Sequence, residues 1–192
     1  LIVFGVNLAD SVMMGAYRET ALSGVGRCNN IQFFLNMAAS GIASGMTVIA
    51  SQYWGKNEKK PIFKISAVAM WISIIVTMLI FAFAAIAPDT LIRLFTDKES
   101  VIEQAVIYLG VIKHTYLIYT LTTILLSILR SVETVKIGFY VSLSSFAINI
   151  FLNYILIYGK LGAPEMGIRG AAVATLISRL IELIVTLIYI LF

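Results

Sequence analysis

The stretch SLSSFAINIFLNYILIY (142–158), followed by GKLGAPEM (159–166) and GIRGAAVATLISRLIELIVTLIYI (167–190), decides the fold. It reads as two apolar helices joined by a Gly/Pro turn. Each helix carries a line of polar or small residues at helical spacing. In the first, Ser142, Ser145, Asn149 and Asn153 follow at steps of three, four and four. In the second, Ala171, Thr175, Ser178 and Glu182 follow at steps of four, three and four. A carboxamide in hydrocarbon is costly unless it finds a partner. Two carboxamides one turn apart, facing a hydroxyl stripe, point to a polar site inside a membrane. The natural partner lies far away in sequence, at Asp10, which shares a helix face with Asn7 and Met14. A carboxylate at mid-membrane costs about 2.5–3.5 kcal/mol on insertion scales, so one that is retained there marks a function.

The rest of the composition agrees. Hydrophobic residues make up 60% of the chain and charged residues 12%, and the mean hydropathy is +0.96. Soluble domains carry about 25% charged residues, so a soluble domain is excluded. Charge-poor runs of about 20 residues predict an all-α, polytopic membrane protein rather than a β-barrel. The net charge is +4, with the basic residues scattered, which gives no nucleic-acid partner. Cys28 stands alone and His114 is the single histidine. That leaves no disulfide framework and no Cys- or His-based metal site, and no cofactor is expected.

Six membrane helices are predicted, forming one bundle: 1–16, 29–53, 62–87, 101–129, 137–158 and 168–192. Each complete one can cross a core of roughly 30 Å at about 1.5 Å per residue. The chain opens inside an apolar run without Met and ends inside another, so it reads as a piece cut within its first helix and near the end of its last. GAYRETALSGVGRCNN (15–30) reads as a polar loop broken by Gly15, Gly24 and Gly26. The second helix carries a stripe of Asn36, Ser40, Ser44, Thr47 and Ser51 that suits a cavity wall. Gly41 and Gly45 beside it have the GxxxG spacing of close helix packing.

The third helix is apolar nearly all round and reads as lipid-facing scaffold. PDTLIRLFTDKES (88–100) is an amphipathic connector. The fourth helix holds Lys113, His114, Tyr116 and Tyr119. His114 suits an interfacial position or a proton relay, and the tyrosines suit packing or stacking on a flat cation. Arg179 and Glu182, three apart, suit a surface ion pair. The Lys-rich loop 55–64 and the loop 129–138 fall on one side, which the basic density of the first makes cytoplasmic. The basic residues of the two sides nevertheless balance, six against six.

Four segments carry a family resemblance: NLADSVMMG (7–15), GIASGMTVIASQYWGKN (41–57), LRSVET (129–134) and INIFLNYILIYGKLGAPEMGIRGAAVATLISRLIE (148–182). Together, in this order over the whole chain, they resemble the multidrug and toxic compound extrusion (MATE) family of transporters. The resemblance implies two six-helix bundles facing each other across a central cleft, of which this chain is the first, the C-terminal six-helix half being missing. It implies export of a small organic, often cationic, compound across the plasma membrane in exchange for sodium or protons. It also implies a cation or proton site formed by Asp10, Asn149, Asn153, Ala171 (through its carbonyl) and Thr175. Some members have a carboxylate where this chain has Asn153, which leaves Asp10 the one titratable group of the cluster and the ion's identity open.

Read from the residues alone, one carboxylate with the neutral oxygens of Asn149, Asn153 and Thr175 suits a single monovalent cation such as sodium, or a proton. The lining expected for an adjacent cavity is Asn7, Met14, Asn36, Ser40, Ser44, Tyr116, Tyr119, Ser145 and Phe146. Three other functions compete with this reading. A flippase for lipid-linked oligosaccharides calls for a basic groove, and no intramembrane Arg/Lys series is present. An intramembrane hydrolase calls for a Ser/His, paired-Asp or HExxH arrangement, which is also lacking, so no enzyme activity is expected. A non-transporting scaffold would use the Asn pair only to join helices, at about 0.6–2 kcal/mol per hydrogen bond.

Overall fold

The structure is a computed structural model that describes residues 2–191, with side chains from Gly5 onward except that of Asn7. The described chain is all-helical. It consists of α1 (Ile2–Tyr17), α2 (Glu19–Gly55), α3 (Lys59–Ile86), α4 (Pro88–Arg93), α5 (Glu99–Ile112), α6 (His114–Ser131), α7 (Lys136–Tyr158) and α8 (Ile168–Leu191). Eight helices therefore stand where six were predicted. Four of them, α2, α3, α7 and α8, are long and apolar enough to cross a membrane, and α5 with α6 adds a fifth if that bent pair is one span.

The differences have local causes. The predicted loop 15–30 is helical except at Arg18, and α2 runs 37 residues, about 55 Å at 1.5 Å per residue. Gly24 does not break it. A Cβ there would lie 3.0 Å from the backbone nitrogen of Ala105, so the glycine lets α2 and α5 touch. One turn on, the Cys28 thiol donates to the Ala105 carbonyl at 3.3 Å. The predicted fourth span bends by 50° between α5 and α6. At the bend the Thr115 hydroxyl donates to the Ile112 carbonyl at 2.7 Å, a back-bond of the kind that bends helices. The connector 88–100 forms the short α4, with Pro88 in its first turn, and Arg93 pairs with both oxygens of Glu99 at 2.9 Å.

α3 is two-faced rather than apolar all round. Ser66, Ser73 and Thr77 are buried, and Thr77 shares a 2.8 Å hydrogen bond with Thr120 of α6. Phe63, Trp71, Leu79 and Phe83 on its other face are exposed, as lipid contact requires. Gly41 and Gly45 do not mediate packing: a Cβ at either would meet nothing within 4 Å. The main apolar core gathers Met14, Val25, Leu35, Ile92, Tyr108, Leu109, Tyr116 and Ala172 from across the bundle. A smaller one joins Ala43, Met46, Ala69 and Ile124.

The backbones of α7 and α8 approach closely at Gly170. Gly159 caps α7 in the left-handed region at φ +63°, and the chain reverses at once. A Cβ on Gly170 would lie 2.5 Å from the Leu156 carbonyl oxygen and 2.7 Å from its carbon. Backbone cannot yield as a side chain can, so the crossing demands glycine. Gly170→Ala is expected to destabilise the protein by about 1–3 kcal/mol. Gly41→Ala should be neutral or mildly stabilising, as read by thermal unfolding of both variants in detergent.

Candidate functional site

The close crossing brings the two polar stripes face to face and sets Asp10 of α1 against them. Asp10 is 2% exposed, and Asn149, Asn153 and Thr175 are buried with it. Asn153 Nδ2 donates to Asp10 Oδ1 and, at 3.2 Å, to Asn149 Oδ1. Thr175 Oγ1 donates to Asp10 Oδ2 at 3.2 Å and accepts from Asn149 Nδ2 at 3.2 Å. The Thr175 hydroxyl has one proton and spends it on Asp10, so both carboxylate oxygens accept and the network suits the ionised form. One acceptor is left over: Asn153 Oδ1 is buried without a partner. Ala171 is fully buried one turn before Thr175.

The seam continues along both helices. Ser145 Oγ donates to the Ser178 carbonyl at 3.0 Å, and Ser142 Oγ donates to Glu182 Oε1 at 2.8 Å. Arg179 Nη1 pairs with Glu182 Oε2 at 2.8 Å. This pair was expected on the surface. It is buried instead, with side-chain exposures of 6% and 3%, because Glu182 belongs to the same inward stripe as Thr175 and Ser178. The spacing that placed Glu182 in that stripe was the available signal. The guanidinium lies over the Tyr119 ring, 5.2 Å from its centroid.

Arg179 and Glu182 form one wall of a cleft of about 440 Å³ between α2, α6, α7 and α8, with Asn36, Ser40, Tyr119, Ser142 and Arg130 also lining it. Asn36, Ser40 and Tyr119 thus fall where a cavity lining was expected. Of the other expected residues, Ser145 lines a second, smaller pocket between α7 and α8, and the rest lie elsewhere. Met14 and Tyr116 are in the apolar core, because both point toward the centre of the bundle. Ser44 is exposed on α2. Ser145 also belongs to the seam, and the Phe146 ring packs 3.5 Å from where a Gly5 Cβ would be. The Asn7 side chain lies outside the described residues. His114 is exposed beside the bend, against the Phe81 ring at 5.6 Å.

Among the described residues no three His, Cys, Asp or Glu side chains converge; the side chains bonded around Asp10 are the neutral ones of Asn149, Asn153 and Thr175. Thr175→Ala removes one of Asp10's donors and Asn149's acceptor together. It should cost about 1–3 kcal/mol of stability, while Thr175→Ser keeps the bonds and most of the stability, as read by thermal unfolding in detergent.

Comparison with known proteins bears on the family. The family described as MatE matches residues 1–155. A probable multidrug resistance protein NorM of Thermotoga maritima is 31% identical over 175 residues, which are 91% of this chain and 38% of that protein. The uncharacterized transporter YisQ of Bacillus subtilis is 29% identical over 92% of this chain and 39% of its own length. A solved inward-facing conformation of a multidrug resistance MATE family transporter of the MOP superfamily superposes with a TM-score of 0.87 at 25% identity. It covers 97% of this chain and 41% of that one. The chain therefore spans about two fifths of the length of the relatives it matches. Its matched length, its long apolar helices and its superposition on these transporters lead to one conclusion: this multi-pass membrane protein belongs to the MatE family.

Proposed function

We propose that the chain is one six-span lobe of an exporter in the plasma membrane, with α5 and α6 counted as one span and α1 as another. The exporter moves small organic compounds outward in exchange for sodium ions or protons. Asp10, Asn149, Asn153, Thr175 and the Ala171 carbonyl form the coupling site. A second lobe, of the kind that makes up the remaining length of the relatives, closes the other side of the cleft.

The observation that carries this reading is the unpartnered Asn153 Oδ1 beside Asp10. A buried acceptor without a donor is costly, and a bound cation supplies what it lacks; a proton on Asp10 does so once the Asn153 amide turns its oxygen, in place of its Nδ2, toward the carboxyl. Charge balance points the same way. The buried seam holds Asp10, Arg179 and Glu182, which sum to one uncompensated negative charge, and a single monovalent cation neutralises it. Occupancy would draw Asn153 Oδ1 inward and let α1 repack on α7 and α8. The cleft beside the seam would change shape, and its affinity for cargo with it. Such coupling shifts an equilibrium only by the ion's differential affinity for the two states; about 2–3 kcal/mol lies within the usual range.

Asp10→Asn in the complete transporter is the test. Efflux driven by a sodium or pH gradient in proteoliposomes should fall about tenfold or more, while the protein still folds, because the amide is isosteric. Efflux at the wild-type level would end this reading.

A further inference from the structure

Resting on the export reading above, we propose that the cleft selects cargo bearing a carboxylate, seated on Arg179 and drawn in by Arg130, in preference to simple organic cations. Arg179 is 5% exposed and lines the cleft. Its Nη1 is taken by Glu182, but Nη2 is buried with no partner in the protein. A planar guanidinium with one nitrogen engaged and one free is a shaped receptor for a carboxylate oxygen. The Tyr119 ring at 5.2 Å holds that plane in place. From α2, Asn36 contributes the complementary group: its Oδ1 is also buried without a partner, and it can accept from an N–H.

The charges agree. Those lining the cleft are Arg130, Arg179 and Glu182, a net positive set. A quaternary ammonium meets that field and brings neither an acceptor for Arg179 nor a donor for Asn36. A compound with a carboxylate and an N–H brings both. Glu182 then competes with the cargo: it partly neutralises Arg179, so removing its charge should tighten carboxylate binding.

The test uses 7-amino-4-methylcoumarin-3-acetic acid and its methyl ester, a fluorescent pair differing in the carboxylate, with the complete transporter in nanodiscs. The acid should bind about tenfold or more tightly than the ester. Glu182→Gln should widen that preference, and the charge-free double variant Arg179→Gln/Glu182→Gln should erase it. Arg130→Gln, at an exposed position, should weaken the acid by about two- to fivefold and leave the ester unchanged. Equal binding of acid and ester, or a preference that survives both the double variant and Arg130→Gln, would overturn the proposal. This readout needs no ion gradient. Ordinary gradient-driven efflux without an acid preference would therefore sink this subsite alone, and an intact preference with Asp10→Asn still transporting at the wild-type level would sink the coupling role of Asp10 alone.

Discussion

A carboxylate taken out of water and out of reach of lipid headgroups has to be given hydrogen bonds by the protein, and in this bundle that requirement falls on Asp10. Its two oxygens draw one donor from α7 and one from α8. Three helices that are far apart in sequence are therefore tied at one point. The apolar residues around that point cannot do this alone, because association between helices in lipid has no hydrophobic driving force. Polar bonds at the seam and close backbone contact supply the specificity instead.

The geometry of the turn follows from that constraint. For Asn149, Asn153 and Thr175 to reach one another, α7 and α8 must cross with their backbones nearly touching. Gly170 permits the contact against Leu156, and the left-handed Gly159 makes the reversal short enough to hold it. The same crossing buries Arg179 and Glu182 at the cleft end of the seam. The groups proposed to bind the ion and the cleft wall are thus successive turns of the same two helices. A change at Asp10 has only Thr175 and Ser178 between it and Arg179 along α8. That continuity gives the coupling proposed above a physical route without a separate relay.

The seam was legible in the sequence because its spacing is strict: 142, 145, 149 and 153 against 171, 175, 178 and 182 all turn inward. Long apolar runs likewise gave α3, α7 and α8 within a few residues. What was not legible depended on neighbours. Gly24 reads as a breaker until α5 is seen to rest against it. Gly41 and Gly45 have packing spacing, yet they face open space. The bend between α5 and α6 needs a Thr115 hydroxyl to choose a carbonyl, which no period reveals. Arg179 and Glu182 read as a surface pair because three-residue spacing on a helix favours that arrangement. Only the partner helix shows that the pair is interior.

The most direct measurement is a double-mutant cycle between Asp10→Asn and Asn153→Ala, with unfolding free energies obtained by reversible unfolding in mixed micelles. If the carboxylate is held by this seam, the two substitutions will be strongly non-additive, with an interaction energy of about 0.5–3 kcal/mol. If their effects simply add, to within about 0.3–0.5 kcal/mol, Asp10 is not held by α7 and the seam does not organise the bundle.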